Sequence, residues 1–309
     1  MLSYESISEL YKTAEAQHKR IREIVLEDQA AQLEQPEESL IMRMEENLTV
    51  MLEAIENGSK QGVKSTSGLT GGDAYRLKQT IAEGKHLCGD LMSNAIQMAM
   101  AVSEINAAMG KIVATPTAGS CGILPGALGA LLKVRSIPRK EVVLSLFTAG
   151  AIGMVVANKA SIAGASGGCQ AECGTASAMA AACIVELLGG TPEMAAHAVA
   201  ITLKCILGLV CDPVAGLVEI PCIKRNASGV TLAFTAAELA LAGIKSAIPV
   251  DETIESLKRV GDGLPASLRE TAQGGLAITP TGQAFERQVF GTRSPLTGSP
   301  CSTCGSCGS

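Results

Sequence analysis

A chain of 309 residues with 47% hydrophobic and 18% charged side chains has material for one large core or two moderate ones, which excludes disorder over most of its length. A formal charge of -5 and a pI near 5.4 leave no basic surface for phosphate, so nucleic acid is excluded as a partner. With no Trp, three Tyr and four Phe, the interior has to be filled by small side chains and closely approaching backbones, which favours packed helices over a β-sandwich.

Residues 1–57 carry 13 acidic and 5 basic side chains. Ile7, Leu10, Tyr11 and Ala14, then Ile21, Ile24 and Val25, recur at helical spacing and predict amphipathic helices. A further helix is expected from Glu37, after Pro36, to Ile55. This N-terminal arm reads either as an edge helix pair or as a docking arm for a partner. Its first residues lack the charged-then-apolar order of a secretory leader, so a cytoplasmic location is expected.

Residues 58–72 are a glycine- and serine-rich connection, of a length that usually signals function or flexibility. From 73 to 292 the pattern predicts one helical domain. Its segments, at roughly 73–109, 122–133, 138–158, 170–189, 192–208, 226–245 and 251–260, are separated by Gly or Pro breaks. Charge almost vanishes in its middle: Ala149 to Val218 holds only Lys159, Glu172, Glu186, Glu193, Lys204 and Asp212. Neither the alternation of a half-buried strand nor a strand-then-helix rhythm is present, so the fold class is all-α. Two uncharged stretches, 112–132 and 142–158, invite a membrane reading. Pro116 and Pro125 in the first and the shortness of the second favour buried helices. Residues 293–309 form a Gly/Ser/Pro-rich tail with Cys301, Cys304 and Cys307.

In a reducing compartment the eleven cysteines are thiols or metal ligands. Three stand at chain breaks: Cys169 after Ser-Gly-Gly, Cys211 before Asp-Pro and Cys222 after Ile-Pro. Glycine lets backbone approach a bulky inorganic centre, and the unpaired amides at a helix start favour a thiolate. Separations of 42 and 11 residues are nevertheless a weak metal signal beside a Cys-x-x-Cys pair. Cysteine is also a small core residue, the reading given to Cys88, Cys183 and Cys205; Cys121 and Cys173, near glycine-rich breaks, fit either role. The residues alone leave a three-cysteine site and ordinary core cysteines both open.

Several phrases in order narrow the choice. Ser-Gly-Leu-Thr-Gly-Gly-Asp (67–73), Thr-Pro-Thr-Ala-Gly-Ser-Cys-Gly-Ile-Leu-Pro (115–125), Gly-Ala-Ser-Gly-Gly-Cys-Gln-Ala-Glu (164–172), Cys-Asp-Pro-Val-Ala-Gly (211–216) and Pro-Cys-Ile-Lys-Arg-Asn (221–226) closely resemble the α chain of iron-sulfur-dependent L-serine dehydratases, from about Val63 to Gly282. The resemblance implies an all-helical catalytic domain in which Cys169, Cys211 and Cys222 hold a [4Fe-4S] cluster with one iron free of protein thiolate. It also implies a separate β subunit bearing a Ser-His-Thr type motif. None of His18, His86 and His197 is followed by Thr, so the proton-abstracting base is expected from that subunit. Ser67, Thr117, Ser120, Ser166, Lys224, Arg225 and Asn226 are candidates for binding substrate or bracing the cluster, against an ordinary role in caps and turns. Glu172 and Asp212 are expected to orient the ligand loops.

Three other readings remain at this stage. The same cluster chemistry could act on L-cysteine as a desulfidase. The chain could be a non-catalytic iron-sulfur carrier, with Cys301, Cys304 or Cys307 taking part in ligation. Finally, the glycine-rich phrases could cradle the phosphate of a pyridoxal-phosphate dehydratase with Lys159 as its lysine, although the mixed sheet such an enzyme needs is missing from the pattern.

Overall fold

A computed structural model describes residues 4–291, and the cysteine tail lies outside that range. The described residues form thirteen α-helices and no strand, so the all-α expectation holds. Helix starts follow local chemistry. Ser6 caps α1 (Ile7–Ala16), its hydroxyl accepting the amide of Glu9 at 3.1 Å. Thr191 and Thr279, each followed by Pro, cap α10 (Pro192–Ile206) and α13 (Pro280–Phe290).

The centre is α9 (Cys169–Leu187), buried along nearly its whole length. Its run of Ala, Cys, Ser and Gly is non-charged on all faces apart from Glu172 and Glu186, the pattern of a helix surrounded by others. Packed around it are α6 (Ile123–Arg135), α7 (Arg139–Lys159), α10 and α11 (Cys222–Leu241). Among the described residues α7 is the one helix long and apolar enough to cross a membrane, and 67% of its most apolar stretch is buried in the fold. Small residues set the helix spacing. A Cβ on Gly126 of α6 would lie 2.8 Å from the Ala99 amide nitrogen of α5 (Gly89–Ala107), and one on Gly58, at the end of α3 (Glu37–Gly58), would lie 2.0 Å from the Ala101 oxygen.

The N-terminal helices join this core. Ile7, Leu10, Ala14, Ile21, Ile24 and Val25 are all buried within the same hydrophobic cluster as the central helices. Helix α1 packs on α10, and α2 (Ile21–Leu33) packs on α7. Asp251, at the start of α12 (Val250–Gly263), accepts the amides of Ile7 and Ser8 at 3.0 and 3.1 Å, closing the free end of α1. Buried Arg22 pairs with Glu141 at 2.6 Å and with buried Glu186 at 3.4 Å, fastening α2 to α7 and α9.

Some boundaries differ from those read in the sequence. The helix expected over 73–109 is two: α4 (Asp73–Ala82) and α5, parted where Gly84 and Gly89 both adopt left-handed backbone at φ 68°. Helix α11 begins at Cys222, four residues before its expected start. The short α8 (Gly164–Gly167) and α13 carried too few buried apolar residues to stand out, Gly282 being the one buried residue of α13. Cys183 is buried as a core residue should be, whereas Cys88 and Cys205, expected beside it in the core, are exposed: one sits at a helix start and the other faces outward near the end of α10. Lys159 is exposed at the end of α7.

Gly126→Val should push α6 away from α5 and lower stability by about 2 kcal/mol, the range for overpacking a close contact. Urea unfolding, with the midpoint falling at unchanged slope, checks this.

Candidate active site

Three chain breaks meet at one place. Cys169 is the first residue of α9 and Cys222 the first of α11, so both thiols stand where helix dipoles favour negative charge. Gly168, before Cys169, has φ 75°; a Cβ there would lie 2.6 Å from Leu264 and 2.9 Å from the Leu209 oxygen. Cys211 sits on the connection between α10 and α11. Its amide donates to the Leu268 oxygen at 2.9 Å and its oxygen accepts the Glu270 amide at 2.8 Å, a single parallel bridge to the long segment after α12. Gly164 faces the same point from α8: a Cβ on it would lie 2.9 Å from Cys211 Sγ and 3.1 Å from Glu270 Oε2.

The sulfurs act on one another. Cys169 Sγ lies 3.3 Å from Cys173 Sγ one turn along α9. The hydrogen bond with Cys173, and then the guanidinium of Arg225, hold the Cys169 thiol below its ordinary range, while Cys173 is pushed well up, so the pair keeps its proton on Cys173. Burial, reinforced by the nearby Cys169 charge, raises both Cys211 and Cys222. Burial also raises Glu172, against the lowering effect of its hydrogen bond from Thr117. Soft sulfur donors of this kind suit iron or zinc. Among the described residues, no three His, Cys, Asp or Glu side chains are spaced to hold a single metal ion.

The polar candidates divide into groups. Thr117 donates to Glu172 and lies 3.1 Å from the Ser120 hydroxyl, so both belong to the wall next to Cys169. Arg225 donates to the Val210 oxygen at 2.9 Å and to Asp212 at 2.8 Å, and also hydrogen bonds Cys169. Asp212 in turn accepts the Leu276 amide at 2.8 Å, which is the orienting role expected of it. Asn226 is fully buried: it accepts the Gly122 amide at 2.9 Å and donates to the Gly119 and Cys222 oxygens at 2.7 and 2.9 Å. Its side chain therefore ties the 115–122 loop to the start of α11 and has no polar group left for a ligand.

Three candidates lie to the sides. Ser67 donates to Glu219 at 3.0 Å and borders an apolar groove with Met109, Leu217 and Val289. Lys224 is 64% exposed and pairs with Asp73 at 2.6 Å, lining a cleft of about 690 Å³ with the glycine-rich 62–72 loop and Pro221. Ser166 is exposed on α8 and borders a separate pocket with Leu257 and Asp262. The histidines are engaged elsewhere, His86 with Asp90 at 2.9 Å and His197 with the Ser246 amide at 3.3 Å.

Sequence reasoning missed Glu219 and Glu270. Glu219 gathers Ser67 and Thr70, and Glu270 reaches the cysteines from the segment after α12. The available signal was length: the stretch between α12 and α13 has only short 3-10 turns, and long connections of that kind are usually functional.

The family model for serine dehydratase alpha chains matches residues 16–277, which takes in every element of this site. The chain belongs to the serine dehydratase alpha chain family. It is 51% identical to a probable L-serine dehydratase alpha chain of Bacillus subtilis, over 93% of this chain and 96% of that one. It is 45% identical to an L-serine dehydratase alpha chain of Peptoniphilus asaccharolyticus, over 88% of this chain and 93% of the relative. Against L-serine dehydratase TdcG of Escherichia coli the identity is 40%, over 74% of this chain but 52% of that protein.

Within this serine dehydratase alpha chain fold, Asn226→Ala should strand the buried Gly122 amide and Gly119 oxygen. A loss of about 3 kcal/mol is expected from two unsatisfied groups. Urea unfolding of the metal-free chain measures it.

Proposed function

We propose that the chain is the α subunit of an L-serine dehydratase, a lyase converting L-serine to pyruvate and ammonia in the cytoplasm, and that Cys169, Cys211 and Cys222 hold a [4Fe-4S] cluster. The observation that carries this reading is the convergence of three buried thiols, from three separate breaks, in a chain of this family. The fit is chemical. Burial and mutual repulsion oppose three thiolates at one place, so a positively charged centre is what would let them ionise together. A cube takes its thiolates on different irons, which asks for wider spacing than one ion does. Gly164 and Gly168 keep side chains out of the space beside Cys211 and Cys169.

When bound, a cluster with one iron free of protein thiolate supplies a Lewis acid for the departing hydroxyl of serine. The chain supplies the surroundings. Arg225, fixed by Asp212 and the Val210 oxygen, places a positive charge beside Cys169, where it offsets thiolate charge and can meet a substrate carboxylate. Thr117 and Ser120 present hydroxyls on the adjoining wall. Asn226 and Asp212 hold the loops that carry these groups, and small displacements of such groups are costly to rate.

A β subunit completes the reading. This chain spans about half of the Escherichia coli relative, and its own histidines are tied to Asp90 and to the Ser246 amide, so the base that removes the Cα proton is assigned to the partner.

The test is anaerobic purification of the chain with the product of its neighbouring gene, counting iron and sulfide and following pyruvate from L-serine. Iron, sulfide and pyruvate together are expected. Cys169→Ala, Cys211→Ala and Cys222→Ala should each lose iron and lower turnover about 100-fold or more, beyond the range for changes outside the ligand set. Iron without pyruvate would favour a carrier, and pyruvate formed by an iron-free protein would defeat the mechanism.

A further inference from the structure

The segment after α12 brings to the pocket a carboxylate with nothing to neutralise it. Glu270 faces Cys211, Cys222 and Glu172, all groups that are neutral or negative. Its Oε2 lies on the same side of Gly164 as Cys211 Sγ. The acidic groups around it are all engaged: Glu172 by Thr117, Asp212 by Arg225 and the Leu276 amide, Glu219 by Ser67 and Thr70. The carboxylate of Glu270 has no hydrogen bond or ion pair among the described residues, although its backbone is pinned by donation to the Cys211 oxygen at 2.8 Å.

The backbone also shows that this placement is enforced. Glu270 and Ala272 adopt φ 63° and 56°, the left-handed region that side-chain-bearing residues avoid, in a segment without regular helix. Such conformations persist where the surrounding structure over-determines them, and they collect at ligand clamps. Here the determinants are the bridge to Cys211 and the Asp212 bond to Leu276. A carboxylate held half-buried beside thiols calls for a cation, and Arg225, the one described cation seen beside these sulfurs, is committed to Asp212, the Val210 oxygen and Cys169.

We propose that Glu270 binds the ammonium group of the amino-acid substrate. The inference rests on the L-serine dehydratase reading and adds to it a substrate contact from the segment between α12 and α13. Arg225 and Glu270 then bring opposite charges to one pocket, as a zwitterion requires. Holding the ammonium also fixes the Cα to which it is attached, and with it the direction of the C–H bond that is broken.

The experiment uses the anaerobic complex of the chain with its partner. Steady-state turnover of L-serine and inhibition by 3-hydroxypropionate, which lacks the ammonium group, are compared in wild type, Glu270→Gln and Glu270→Asp. Glu270→Gln should raise KM for serine about tenfold or more, the loss of one charged hydrogen bond. Its iron content, its visible absorption and its affinity for 3-hydroxypropionate should stay the same, and Glu270→Asp should recover part of the KM. An unchanged KM in Glu270→Gln, or equal weakening of serine and 3-hydroxypropionate, overturns the proposal. So does loss of iron from that variant, which would make Glu270 a metal ligand. Failure of the wild-type complex to hold iron or release pyruvate is a separate result, and it removes the dehydratase reading itself.

Discussion

Everything in this fold answers to the burial of three thiols around one point. Cys169, Cys211 and Cys222 are each nearly inaccessible, and burial together with their neighbours' charge pushes two of them away from ionisation. An interior that keeps such groups close without letting them share charge has to hold them rigidly, because each would otherwise turn outward to water. The rigidity comes from helix starts at two of the cysteines and from a one-rung bridge at the third.

The packing of the core serves the same end. Helix α9 can be surrounded because its side chains are small, and that lets four neighbouring helices fix the orientation of its first turn. The glycines between α5 and α6 and at the end of α3 play the matching part further out, trading side-chain volume for close backbone contact. Polar residues in the interior are paired into braces: Arg22 with Glu141 and Glu186, Glu104 with the amides of Gly72, Asp73 and Ala74, and Asn226 with two loops at once. Glu104 closes the N-terminus of α4 and so sets where the glycine-rich 62–72 loop ends.

Much of this was legible in the residues. The all-helical class followed from missing alternation and scarce aromatics, and the apolar positions from Ile7 to Val25 mark the buried faces of α1 and α2. The break inside 73–109 was harder to see, because apolar residues continue on both sides of Gly84 and Gly89 and nothing local requires those glycines to be left-handed. Cysteines at breaks pointed to a shared place, yet periodicity carries no information on which loops meet in space. For that reason Asn226 read as a possible ligand contact when its whole amide is spent on backbone. Glu270 was silent for the same reason: it acts through a bridge to a residue 59 positions earlier, in a segment with no pattern to read.

The Asn226 bond to the Gly119 oxygen spans 107 positions of the chain, and the Asp212 bond to Leu276 spans 64. Closing loops of that size costs entropy before any contact is gained, so the pocket is among the last parts of the molecule to assemble. Synthesis runs from the N-terminus, and Leu276 leaves the ribosome after nearly all the helices are made. Loading of any inorganic centre must therefore follow translation, on a chain whose helical scaffold already stands.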